Sequence, residues 1–239
     1  MVFDCATRTH VGHRRKLNED AVLDCSKQGL WAVADGMGGH EAGEVASALV
    51  VETLEQFAED GSIEHRIDSV LTALEKVNLS LHDMGRASIN QRTIGTTVVG
   101  LVADGKQYRC FWAGDSRAYR LRGASIDQLT RDHSLVQDLV DAGMIEPGEA
   151  ETHPNSNVVT RAVGAAERLQ VDTVGGAIDG GDTFLLASDG LTRLIRAEEI
   201  AVQLASPSLE TAADSLIDLA LDRGAPDNVS LIIVRFRKD

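Results

Sequence analysis

The stretch Trp31–Glu44, WAVADGMGGHEAGE, opens with four apolar residues and then passes through Asp35 into a run of glycines. A short apolar run closed by turn formers reads as a buried strand. Asp35 then stands at the strand's end, where glycines let backbone and ligand approach closely. Upstream, Ala21–Cys25 gives a second such run, separated from Leu30–Ala34 by a Ser-Lys-Gln-Gly turn. Downstream, Ala42, Val45, Ala46, Leu49, Val50, Leu54 and Phe57 recur at helical spacing, which predicts a helix over 41–58. Ile67, Val70, Leu71, Leu74 and Val77 share one face of a second helix over about 63–84. The short β-rich runs TTVVGLVAD, QYRCFWAG, RAYRLRG and SIDQL have the spacing of an antiparallel meander. Residues 133–164, with Pro147 and Pro154, read as an elaborated surface segment that begins with a short helical pattern. A strand over 182–187, helices near 197–204 and 209–223, and a last strand VSLIIVRF complete the chain. Strands grouped together and helices in pairs predict an α+β sandwich of antiparallel sheets rather than a parallel βαβ fold.

Composition narrows the function. The chain has 239 residues, 43% hydrophobic and 25% charged, as an ordinary globular domain does. Its formal net charge of −14 repels phosphate backbones and argues against nucleic acid as a partner. Cys5, Cys25 and Cys110 lack metal-site spacing and read as reduced, buried thiols of a cytosolic protein. None has an arginine six positions later, which removes the thiolate loop of cysteine-dependent phosphatases. There is no signal-peptide core and no membrane-length apolar run, so no membrane is expected.

Asp35, Asp115, Asp189 and Asp227 each occupy a turn beside an apolar run, in VADG, AGDS, ASDG and APDN. One such aspartate can simply bond its own turn. Four of them suggest converging carboxylates, which repel unless a cation lies between them, and an oxygen-only donor set favours Mg2+ or Mn2+. A two-metal centre can activate water against a phosphomonoester without a protein nucleophile. Its phosphate needs a cation as well, and HRRKLNED places Arg14, Arg15 and Lys16 before Asn18, Glu19 and Asp20.

Eight ordered elements, RRKLNED, VADGMGGHEAGEVAS, TIGTTVV, WAGDSRAYRLR, LTRDHSLVQDLVDAGMI, NVVTRAVG, FLLASDGL and APDNVSLIIV, span almost the whole chain. Together they resemble the metal-dependent protein phosphatases of type 2C, the PPM family of Ser/Thr phosphatases, in its bacterial form. The resemblance implies a four-layer α-β-β-α sandwich, a single catalytic domain over 1–239, and a flap subdomain at about 133–164. It also implies that Asp35 bridges two metals, with the Gly36 carbonyl on one. Asp189 and Asp227 hold the other, and Glu19 acts through coordinated water. By the same resemblance Arg15 binds the substrate phosphate, Asp20 supports the cluster, and Asp115 forms a possible third metal site with Asp189. Ser116 and Arg117 hold their turn. Animal members carry a proposed general-acid histidine where this chain has Met37; His40, three residues later, is the substitute candidate.

The implied activity is hydrolysis of phosphoserine and phosphothreonine by water activated at a binuclear Mn2+ or Mg2+ centre. The implied partners are a eukaryotic-like Ser/Thr kinase and its forkhead-associated substrates, met by a cytoplasmic monomer. Two alternatives stand beside this reading. One is a phosphoprotein-binding pseudophosphatase, which the retained acids disfavour; the other is a phosphohydrolase of small metabolites.

Overall fold

The computed structural model describes residues 3–38, 42–56, 61–88 and 93–237. In chain order its elements are β1 (Phe3–His10), β2 (Asp20–Cys25), β3 (Leu30–Met37), α1 (Ala42–Gln56), α2 (Ile63–Ala87), β4 (Gly95–Thr96), β5 (Val98–Ala103), β6 (Gln107–Ala113), β7 (Arg117–Arg122), β8 (Ser125–Gln128), α3 (Leu135–Asp141), β9 (Asp172–Ala177), β10 (Thr183–Ala187), α4 (Asp189–Thr192), α5 (Ala197–Leu204), α6 (Leu209–Asp222) and β11 (Val229–Phe236). One sheet has the order β1-β11-β10-β7-β8. The other runs β2-β3-β5-β6-β9, with β4 on β3.

Successive side chains of a strand point to opposite faces, and here both faces are apolar. Leu30, Ala32 and Ala34 of β3 pack with Val50 and Leu54 of α1 and Leu74 and Leu81 of α2. Trp31 and Val33, between them in sequence, pack instead with Phe184 and Leu186 of β10 and Ile232 and Val234 of β11. The alternate residues Leu185, Leu231 and Ile233 meet Ile200 of α5 and Leu216 of α6. Three apolar layers therefore separate four layers of structure, the expected α-β-β-α sandwich. The two long inner strands bury residues on both faces, so their continuous apolar runs follow from position rather than from length.

Three differences from the sequence expectation have physical causes. The four central runs do not form one meander: β5 and β6 pair in one sheet, while β7 and β8 pair in the other. The turn at Gly114–Ser116 carries the chain across, and β6 takes β9 as its second neighbour while β7 takes β10. Polarity patterns fix that a run is a strand, but long-range packing chooses its partner. The edge strands β1 and β9, FDCATRTH and DTVGGA, lack apolar runs because they are only partly buried. The single turn of α4 is likewise too short to show a helical period.

The 133–164 segment is fastened at both ends. His133 N donates to Gly114 O at 2.9 Å, Thr160 N to His133 O at 2.8 Å, and Val163 N to Thr96 O at 2.9 Å. Within it α3 is capped by Ser134, whose side chain accepts from Gln137 N. Cys25 and Cys110 are buried and Cys5 half-buried, all without disulfides; burial pushes the Cys5 thiol up to about 12. Among the described residues no helix is long and apolar enough to cross a membrane.

Candidate metal centre

The two sheets end at one rim, and the strand ends there deliver the acids. Asp35 lies in the last third of β3 and pairs in register with Asp20 of β2. Its backbone is fixed from the far side: Asp35 N donates to Thr97 Oγ1 at 3.2 Å, and Thr97 N donates to Asp35 O at 2.9 Å. Thr97 Oγ1 is in turn 2.7 Å from Ser116 Oγ, so the turn carrying Asp115 is tied to the strand carrying Asp35. Arg117 forks onto Asp132, with Nη2 to Oδ2 at 2.7 Å and Nε to Oδ1 at 2.9 Å, and holds that turn from behind. Asp189 opens α4 directly after β10, and Asp227 precedes β11.

Close backbone approach is built in. Gly36 N donates to Glu19 O at 3.0 Å. A Cβ on Gly36 would lie 2.1 Å from Gly43 O, and one on Gly43 would lie 2.5 Å from Glu19 Oε1. Any larger residue at either position would push β3, α1 and the Glu19 loop apart.

Glu19, Asp35, Gly36, Asp115, Asp189 and Asp227 line one cavity of about 630 Å³, with Arg14, Arg15, Arg193 and, from the 133–164 segment, Asn157 and Val159. Asp20 sits behind it, its Oδ2 accepting from Ser188 Oγ at 2.9 Å. All the candidate site residues that fall among the described residues are thus gathered at one place. His40 lies outside the described residues, and the residue after Gly36 on the cavity wall is Met37.

The electrostatics are those of crowded carboxylates. Burial, followed by the charges of Asp20, Asp189, Asp115 and Asp227, holds the Asp35 carboxyl well above the usual range. Burial pushes Asp20 and Asp115 up to about 6, and raises Asp189 too. Arginines compensate part of this: Arg15 Nη2 donates to Asp227 Oδ2 at 2.7 Å, and Arg193 pairs with both Asp115 and Asp189. Glu19 Oε1 and Asp20 Oδ1 are buried without a hydrogen-bond partner. A buried oxygen without a donor costs about 1–3 kcal/mol, so the residues present fit a hard divalent cation. Among the described residues no three acid, histidine or cysteine side chains already close on one point.

Two site residues escape the sequence reading. Asn228 clamps the 11–19 loop: its Nδ2 donates to Val11 O at 2.9 Å and Leu17 O at 3.0 Å, and its Oδ1 accepts from Glu19 N at 2.8 Å. It stands beside Asp227 in PDN, and that adjacency was its only sequence signal. Arg193, four residues after Asp189, had none.

Comparison with known proteins places the chain in a family. A family model described as protein phosphatase 2C matches residues 9–222. The solved structure of PppA, described as a key regulatory component of T6SS in Pseudomonas aeruginosa, is 41% identical, with a TM-score of 0.90 and 98% of each chain covered. The serine/threonine protein phosphatase PstP of Mycobacterium tuberculosis is 36% identical over 98% of this chain, which spans 45% of that relative's length. A solved catalytic domain of a phosphatase PstP, in complex with two manganese ions, is 34% identical with a TM-score of 0.86, covering 98% of this chain and 97% of that one. The family match runs from the end of β1 to the end of α6, and the chain belongs to the protein phosphatase 2C family.

Proposed function

We propose that this chain is a metal-dependent protein phosphatase that hydrolyses phosphoserine and phosphothreonine with water as the acceptor and no phosphoenzyme. The observation that carries the reading is the rim cavity, lined by Glu19, Asp35, Asp115, Asp189 and Asp227, with the partnerless Glu19 Oε1 at its wall and the partnerless Asp20 Oδ1 behind it. Asp35 with the Gly36 carbonyl, and Asp189, Asp227 and Glu19, are the residues to hold two divalent ions, with Asp20 in support and Asp115 beside Asp189. When bound, such ions lower the pKa of water and neutralise phosphoryl oxygens. The manganese pair in the PstP catalytic domain supports a centre of two divalent ions, Mn2+ or Mg2+.

The chain's own part is rigid placement. Backbone bonds from Thr97 lock Asp35, and Asn228 fixes the loop that carries Arg15 and Glu19. Arg15 stands at the cavity wall with one N–H committed to Asp227, and its planar fork suits a phosphoryl group. Arg15→Ala should raise KM for a phosphothreonine peptide roughly tenfold, the worth of about one charge-assisted hydrogen bond, with a smaller change in kcat. An unchanged KM in steady-state assays would remove Arg15 from phosphate binding.

The 133–164 segment serves as a flap beside the cavity within one catalytic domain, and the enzyme acts as a cytoplasmic monomer. Its partners are phosphoproteins: a eukaryotic-like Ser/Thr kinase and forkhead-associated substrates. The 41% identity to PppA supports substrates that control a secretion machine. The decisive assay is phosphate release from phosphothreonine, phosphotyrosine and small-metabolite substrates with Mn2+, Mg2+ or EDTA. Metal-dependent turnover of the phosphothreonine peptide is expected. Preference for a metabolite would make the chain a small-molecule phosphohydrolase, and silence from a folded, metal-binding protein would make it a phosphoprotein-binding module.

A further inference from the structure

The guanidinium of Arg193 fills the ground between Asp115 and Asp189. Arg193 leaves α4 one turn after Asp189, and its Nε pairs with Asp189 Oδ2 at 2.8 Å while Nη2 pairs with Asp115 Oδ2 at 2.9 Å. On its other side Nη2 donates to Ser156 O at 3.2 Å, and Nη1 donates to Asn157 Oδ1. A guanidinium presents five N–H donors in one rigid plane. Here they meet acceptors from the 114–116 turn, from α4 and from the 133–164 segment at once, so the group is pinned rather than swinging.

The Asp115 side chain is only 6% exposed, so two carboxylates this close need a cation between them. A third divalent ion drawn to Asp115 and Asp189 would compete with Arg193 for the Oδ2 atom of each, and would sit against a fixed positive charge. We infer that Arg193 is the resident cation of this position: it closes the Asp115–Asp189 pair to a third metal ion, leaves the chain a two-ion centre, and ties Ser156 and Asn157 to that centre. The inference rests on the reading of the cavity as a metal site.

Isothermal titration calorimetry with MnCl2 tests it without reference to turnover, on the wild type, Arg193→Ala, Arg193→Gln and the Arg193→Ala/Asp115→Asn double variant. The wild type should take up two ions. Arg193→Ala and Arg193→Gln should each take up a third, since a fixed like charge has been removed. The double variant should lose that third ion. Hydrogen exchange of residues 155–158 should quicken in Arg193→Ala. Three ions in the wild type would overturn the inference, as would two in an Arg193 variant whose circular dichroism matches the wild type. No ion bound by the wild type would overturn the metal-centre reading, and this inference with it.

Discussion

Asparagine at position 35 should lower turnover of a phosphothreonine peptide by about 10³-fold or more, the rate equivalent of the several kcal/mol that metal-borne charge stabilisation supplies. The same substitution should stabilise the protein in EDTA. Asp35 is held well above the usual carboxylate range by burial and by Asp20, Asp189, Asp115 and Asp227, so in the metal-free state its ionised form opposes folding. The sign follows from linkage. A carboxyl whose folded pKa is raised binds more protons folded than unfolded. Its contribution to stability is fully present below the unfolded value and is lost as pH rises through the folded one. For Asp20 and Asp115 that window runs from 3.8 to about 6. Each can withdraw on the order of 2–3 kcal/mol across it. Metal-free wild type should therefore melt lower at pH 7.5 than at pH 5, and Asp35→Asn should narrow the gap. Manganese should raise the melting temperature of the wild type far more than that of the variant. Scanning calorimetry at the two pH values reads all of this. An Asp35→Asn protein that keeps most of its turnover, or melts lower than wild type in EDTA, would remove Asp35 from the centre.

What the sequence made legible follows from which interactions are local. Asp35 and Asp189 end apolar runs and Asp227 precedes one, and a run bounded by a turn former declares both its strand and its rim position. The helices α1 and α2 declared themselves through Val50, Leu54, Leu74 and Val77, because an amphipathic face is written at a fixed period. Sheet membership is not local. The RAYRLRG run of β7 looks the same whether it pairs with β6 or with β10, and the choice falls to Tyr119 and Leu121, which pack toward α5 and α6. Arg193 shows the limit most plainly. In LTRLI it is an ordinary helix-end arginine, and its role exists only because β6, β10 and the 133–164 segment arrive at the same point. Asn228 is similar: it reads as a turn residue, while its side chain fixes a loop more than two hundred residues earlier in the chain.

That dependence on convergence makes Gly190→Ala the severest single-methyl change at the centre. Gly190 follows Asp189 in α4, and a Cβ built on it would lie 1.9 Å from Asn228 O, a backbone atom with nowhere to retreat. Asn228 is bonded to Glu19 N and Leu17 O and is the covalent neighbour of Asp227. The strands on either side are tied as well, with Ser188 N donating to Ser230 O at 3.0 Å. The clash must therefore be relieved by moving α4 away from the 227–228 turn, which separates Asp189 from Asp227 and disturbs Glu19 together. Overpacking of this kind costs about 1–3 kcal/mol, so the melting temperature should fall by several degrees. Turnover should fall by roughly 10²-fold or more, because a displacement of about an ångström at a preorganised site costs that much on its own. Gly148→Ala separates the two effects. Nothing lies within 4 Å of a Cβ at Gly148, so both stability and activity should stay near wild type. A Gly190→Ala protein with unchanged melting temperature and turnover would mean that α4 can shift freely. The acids at the rim would then be brought together by the bound ions themselves and not by the frame of the two sheets.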